Sequence, residues 1–246
     1  MRILGLPFFD GTVEQVVSLV SRNGGVLVVP AAPALVRLQH DSVYREAVRR
    51  ADVAIPDSGL MVLTWALLGR GKLQRISGLA YLLRLIEEPT FAAPNLAFFV
   101  LPSNEARGKL LHWCQRQNRT VTAADCYVAP HYPLAVSDPQ LLEIVRQRQV
   151  RHIVIAIGNG PQEKLGIYLR DNLPYRPAIH CIGAALGFLT GDQVAIPDWA
   201  DRFYLGWLLR LLAQPRIFIP RLARCAILPW LILRYGEEMP PLKMKR

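Results

Sequence analysis

RHIVIAIGNGPQEKLG, residues 151–166, decides the reading of the fold. The run from Arg151 to Ile157 is apolar after its first two residues and rich in β-branched side chains. It is the length of a strand and suits one buried on both faces. Gly158-Asn159-Gly160 then turns the chain, and a helical pattern follows from Gln162 to Asn172. Strand, glycine turn and helix in that order form the repeating unit of a parallel α/β sheet.

The same alternation extends to both sides. Strands are expected at Gly25–Val29, Asp52–Ile55, Asn95–Leu101, Thr120–Ala124 and Ala178–Gly183. Helices are expected at 34–50, 58–69, 79–88, 106–117 and 139–149, with Ser103 as an N-cap and Pro139 at a first helical position. The pattern changes near Asp192 to Trp199, beyond which only helical signals remain. The expected architecture is therefore α/β: a Rossmann-like, mostly parallel sheet with flanking helices over residues 1–195. A basic, apolar, helical C-terminal appendage follows over residues 196–246.

The chain has 246 residues, is 52% hydrophobic and 20% charged, and carries a net charge of +10. A core of that size excludes a disordered chain, and the charge points to anionic partners. From Trp199 onward there are nine Lys/Arg against three Asp/Glu, so +6 of the +10 lies in the tail. There Arg202, Arg210, Arg216, Arg221, Arg224 and Arg234 punctuate leucines, isoleucines and three tryptophans, and Pro215, Pro220 and Pro229 break the run into short helices. Such a segment suits the surface of a membrane, apolar faces in the interface and arginines at phosphate level. The other reading is a helical layer packed on the sheet. Contact between copies of the chain is a further way to cover it. Nucleic acid is not expected, because the basic residues sit among aliphatics rather than along a polar groove.

No stretch reaches the roughly 18 apolar residues of a spanning helix, and the N-terminus lacks the pattern of a signal peptide. Cys114, Cys126, Cys181 and Cys225 form no CxxC pair and fit no zinc spacing. Free thiols in a cytoplasmic protein are expected.

Ligands of open α/β sheets bind at the carboxyl ends of strands, and two such ends carry chemistry. At the first, Gly158, Asn159 and Gly160 would let a ligand approach the backbone. Gln162 can donate and accept, and Glu163 can accept from ribose hydroxyls. The alternative is an ordinary strand-to-helix turn with Glu163 favoured by the helix dipole. At the second, Ile55-Pro56-Asp57-Ser58-Gly59, Asp57 is either a general base or an N-cap. No GxGxxG, Walker lysine, GxSxG or HExxH motif is present. The histidines are scattered, His131 in a turn-rich loop.

Taken together, these segments resemble the WecG/TagA/CpsF family of glycosyltransferases over nearly the whole chain. The resemblance rests on Asp10 and Thr12, on AVRRADVAIPDSGLMVLTWALLG, on Gln74-Arg75-Ile76-Ser77-Gly78 and on Ile157 to Glu163. It extends to Gly206 to Leu211 with Gln214-Pro215-Arg216. It implies an inverting, metal-independent hexosyltransferase. Such an enzyme moves a sugar, often of N-acetylmannosamine type, from a UDP-sugar to a polyprenyl-diphosphate-linked acceptor in the synthesis of a cell-surface polysaccharide, at the inner face of the membrane. On that pattern Asp57 is the catalytic base. Gly158, Asn159, Gly160, Gln162 and Glu163 hold the donor nucleotide. Arg75, Arg202, Arg210, Arg216 and Arg221 neutralise diphosphate. The sequence departs from the family where Val29 and Ala31 replace a threonine and an asparagine, and at Ser58, Gly187, Ala195 and Gly206. Those departures carry a second reading, an inactive member acting as a membrane-associated scaffold.

Overall fold

The computed structural model describes residues 1–183, 185–191, 211–212 and 215–243, and the side chains of all of these except 217, 218 and 221. The boundary expected at 195/196 falls outside the described residues.

Six parallel strands form the sheet, in the order β4-β3-β8-β7-β5-β6. They are β3 (Gly25–Val28), β4 (Val53–Ala54), β5 (Ala97–Leu101), β6 (Cys126–Val128), β7 (His152–Ile155) and β8 (Ala178–Cys181). A two-stranded antiparallel pair, β1 (Arg2–Ile3) and β2 (Leu6–Pro7), precedes them. The four central strands are buried along nearly their full length, and alternate residues enter separate cores. Val26, Val28, Ile153, Ile155 and Ile179 point to one side; Leu27, Val29, Val154 and Phe99 point to the other. That two-residue period with both faces covered is why these strands read as unbroken apolar runs.

The second core is closed by α1 (Val13–Asn23), α5 (Gly78–Leu85), α6 (Pro89–Ala92), α7 (Asn104–Arg116) and α10 (Ala185–Thr190). The first core is closed by α2 (Ala32–Arg37), α3 (Ser42–Arg50), α4 (Gly59–Leu67), α8 (Pro139–Arg148), α9 (Pro161–Asn172) and α12 (Leu228–Tyr235). Between α10 and α12 lies α11 (Pro215–Cys225), which packs on α2. Helix α12 packs against α4 and α2, with Leu228, Leu231 and Ile232 fully buried. The chain beyond it is tied down as well. Leu4 and Gly5 N–H donate to the carbonyls of Gly236 and Glu237, and the Arg45 guanidinium donates to the Pro240 carbonyl.

Two expected elements are corrected. The helix expected over 34–50 is two helices, because the Asp41 carboxylate accepts from Tyr44 N–H and restarts the chain as α3. The strand expected at 120–124 lies further on, at Cys126–Val128. Thr122 and Asp125 build a reciprocal turn over the earlier residues, Asp125 accepting from the Thr122 N–H at 2.8 Å.

Candidate active site

Strand β4 ends at Ala54, and the chain passes through Pro56 and Asp57 into α4. Ser58 is the cap of that helix, its Oγ accepting from Met61 N–H at 3.2 Å. Asp57 is thus not the N-cap, one of its two expected readings. Its Oδ1 instead accepts from the N–H of Gly78, the first residue of α5, at 3.1 Å. Arg75 lies alongside: its Nε donates to the Asp57 carbonyl at 2.7 Å, and its Nη2 is 3.8 Å from Oδ1. The carboxylate therefore rests at the positive end of one helix, at the entrance to another, and beside a guanidinium. It stays 23% exposed, and Arg75 17%.

On the far side of β3 and β8, β7 ends in the turn that opened the sequence. Gly158 and Gly160 take φ of +95° and +106°, which L side chains rarely adopt. The Gly160 N–H donates to Glu163 Oε2 at 2.6 Å. The Gln162 amide donates to Asn159 Oδ1, to Glu163 Oε1 and to the Cys181 carbonyl. Arg37 on α2 donates to the Asn159 carbonyl at 2.9 Å. Glu163, expected to accept from ribose hydroxyls, is instead fully buried with both oxygens spent on its own turn. Gln162 is equally buried. Burial pushes the Glu163 carboxyl up, against the opposing pull of Gln162, Gly160 and Arg37. These two side chains shape the turn, and Gly158 and Asn159 are what it leaves partly exposed.

A cleft of about 340 Å³ opens beside it, lined by Ala156, Ile157 and Gly158 after β7 and by Leu101, Pro102 and Ser103 at the end of β5. Glu105 and Ala106 of α7, and Gly183, Leu186, Gly187 and Thr190 around α10, complete the lining. Its place follows from the topology. The chain leaves β5 toward β6 on one side and leaves β7 toward β8 on the other. The strand ends diverge there, and a crevice opens at such a switch point. Ser103 caps α7 at the cleft's edge, its Oγ accepting from Ala106 N–H at 3.2 Å. Sequence reasoning found Ser103 as a cap and missed it as cleft lining, because the adjacency of β5 and β7 has no local signal.

The order β4-β3-β8-β7 separates Asp57 from the glycine turn by three strand spacings, about 14 Å. Gly183, after β8, lies between: the position of its absent Cβ is 3.5 Å from Asn159 Oδ1. Arg75 is thus brought to Asp57, while Arg216 is exposed on α11. The side chain of Arg221 and the whole of Arg202 and Arg210 lie outside the described residues. Among the described residues, no three His, Cys, Asp or Glu side chains gather as a metal site. His131 is exposed, and no described helix is long and apolar enough to cross a membrane.

Fold and crevice define a doubly wound α/β protein, a class whose ligands bind at the carboxyl edge of the sheet. The chain belongs to the glycosyl transferase WecG/TagA/CpsF family, which it matches over residues 1–239. Comparison with curated proteins finds no significant match. Family membership makes the protein a glycosyltransferase, acting on a sugar donor and an acceptor.

Proposed function

We propose that this glycosyltransferase moves a hexose, of N-acetylmannosamine type or related, from a UDP-sugar to a polyprenyl-diphosphate-linked sugar during synthesis of a cell-surface polysaccharide. It does so with inversion, without a metal, as a peripheral protein at the cytoplasmic face of the membrane. The observation that carries this reading is the placement of Asp57 on the same sheet edge as the cleft, about three strand spacings away. An extended nucleoside diphosphate sugar has that reach. The nucleotide sits in the cleft at the β5/β7 switch point. The diphosphate passes over the backbone of Gly158 to Gly160 and of Gly183, where chain without side chains permits close approach. Gln162 and Glu163 fix the shape of that turn. The anomeric carbon then lies toward Asp57.

Inversion needs one in-line displacement. The acceptor hydroxyl gives its proton to the Asp57 carboxylate as its oxygen attacks the anomeric carbon, and UDP leaves with the bonding pair. Gly78 N–H and Arg75 hold the carboxylate in one orientation. Arg75, with its planar fork, also neutralises developing phosphate charge, and Arg202, Arg210, Arg216 and Arg221 serve the diphosphate of the lipid-linked acceptor.

The test is UDP release by the purified chain with a panel of UDP-sugars and a detergent-dispersed polyprenyl-diphosphate-sugar, beside Asp57→Asn. The asparagine keeps an oxygen for Gly78 N–H and loses the base. Acceptor-dependent release should fall by about 10²–10⁴-fold with UDP affinity unchanged. Equal turnover in the variant removes Asp57 from the chemistry. UDP binding without turnover for any donor would favour a changed substrate, and neither turnover nor nucleotide binding would favour the scaffold.

A further inference from the structure

Helix α4, GLMVLTWAL, contains no charged residue, and its one hydroxyl, Thr64, is spent on the Leu60 carbonyl at 2.7 Å. A helix apolar on every side belongs inside a protein or in lipid. Only one side of α4 is inside: Met61, Val62 and Trp65 are buried in the first core. Leu60, Leu63 and Leu67, at successive turns of the other side, are exposed, Leu67 by 87%. The neighbouring helix repeats the arrangement. In α12, Leu228, Leu231 and Ile232 are buried, while Trp230 and Leu233 are 51% and 57% exposed. Arg70 joins the two, its ring-facing guanidinium over Trp65 and its Nη2 donating to the Leu233 carbonyl at 3.5 Å. Two adjacent helices thus each carry an uncovered apolar ridge.

The surrounding charge selects the occupant. Arg70, set between the two helices, and Lys72 follow α4 directly, and no acidic residue lies between Ser58 and Ile86. Over α11 and α12, from Pro215 to Gly236, the sequence has Arg216, Arg221, Arg224 and Arg234 and again no acidic residue; Glu237 and Glu238 follow just past α12. A protein partner would need an acidic rim around an apolar centre. An anionic bilayer surface offers both over an unlimited area: acyl chains for the leucines, headgroup phosphates for the arginines, and an interface that favours tryptophan. Helix α4 also begins at Ser58, the residue after Asp57, so whatever surface it rests on is brought beside that carboxylate.

We propose that the exposed ridges of α4 and α12 are the membrane-docking face of this protein, and that α4 lies on an anionic bilayer with Asp57 at its membrane-proximal end. The partner's identity deepens the transferase reading, since a lipid-linked acceptor reaches a carboxylate so placed without leaving the bilayer. The docking itself is read without any acceptor.

Full-length protein is sedimented with vesicles of phosphatidylcholine alone and with vesicles containing phosphatidylglycerol, and Trp emission is followed with brominated lipid. The intact protein should bind the anionic vesicles and lose binding with added salt. Leu63→Glu/Leu67→Glu should cut partitioning by about tenfold or more. Leu134→Glu, at a loop position 73% exposed, should not change it. Trp230→Phe should lower the quenching by brominated lipid. Each variant's melting curve is taken first, and all sites are exposed, so folding should be intact. Binding by the double variant equal to the parent's overturns the proposal, as does failure of the parent to bind anionic vesicles. A concentration-dependent dimer that the double variant dissolves, with vesicle binding unchanged, would assign the face to a second copy instead. Turnover on a short water-soluble acceptor separates the two readings. Docking lost with turnover kept is the expected result, and docking kept with turnover absent would remove the transferase reading alone.

Discussion

The two glycines of the opening turn share a left-handed backbone and differ in what surrounds them. At Gly160 a Cβ would overlap the Arg37 guanidinium, which holds the Asn159 carbonyl. At Gly158 nothing lies within 4 Å, and the position faces the cleft. Gly158→Ala should therefore cost only the backbone term, about 1–2 kcal/mol. Gly160→Ala adds displacement of Arg37 and disturbance of the Gly160–Glu163 hydrogen bond, and should cost roughly 3 kcal/mol or more. The order reverses for ligand: Gly158→Ala, by its stability change the milder, should weaken UDP binding the more per unit of stability lost, because its methyl group occupies the space proposed for phosphate. Urea denaturation and UDP calorimetry on both variants check this. Unchanged UDP affinity in Gly158→Ala would move the diphosphate elsewhere. At this scale the sequence showed the turn, since two glycines and a proline leave few conformations. It did not show that Glu163 is buried: a carboxylate three residues after an N-cap reads the same whether it closes its own helix or awaits a ligand.

Between elements, a buried chain of side chains crosses the second core. Tyr81 Oη on α5 is 2.7 Å from His180 Nδ1 on β8. His180 Nε2 is 3.1 Å from His152 Nδ1 on β7, and His152 Nε2 is 3.0 Å from Thr90 Oγ1 on α6. Each ring nitrogen is used, so each neutral ring donates once and accepts once, and the two rings cannot both take a second proton without facing each other N–H to N–H. Burial holds His152 down to about 4, with a smaller push from Arg151; burial and the neighbouring His152 hold His180 well below the usual range. Both unfolded rings take up protons near pH 6.5 while the folded ones do not. Stability is therefore fully present above pH 6.5 and is lost as pH falls toward 4. His152 alone should forfeit about 2 kcal/mol by pH 5. Urea midpoints at pH 7.5 and 5 should show a drop that shrinks in His152→Gln; an equal drop in both would remove His152 as the source. No local pattern exposes such a chain, because its members lie 62 and 99 residues apart. The central strands were readable for the opposite reason: with both faces buried, composition alone separates them from loops. The short edge strand β6, whose residues are all half-exposed, lacks that signal and was placed a few residues early.

For the whole molecule the question is how the C-terminal segment belongs to the domain that precedes it. Its composition, arginine and tryptophan among leucines, is the same for a surface-seeking tail and for a packed helix, so sequence leaves both readings open. The described part of that segment packs one side of a helix on the core and leaves its other side exposed. Ile232 is fully buried in the helix that packs on α4 and α2, and its neighbour Leu233 is 57% exposed on the ridge. Ile232→Ala should leave a cavity in the first core and cost about 2–4 kcal/mol. Leu233→Ala should change stability by less than about 0.5 kcal/mol. Because α12 supports α4, and α4 begins beside Asp57, Ile232→Ala should also lower turnover on a water-soluble acceptor, where no membrane is involved. Leu233→Ala should leave that turnover intact and weaken vesicle binding. Melting curves, vesicle partitioning and UDP release on the two single variants resolve the four expectations. Near-zero stability change in both would make the last helix a separable attachment. The expected split, one residue carrying the fold and the next carrying the surface, would make the C-terminus a structural wall of the catalytic domain whose outer face meets the membrane.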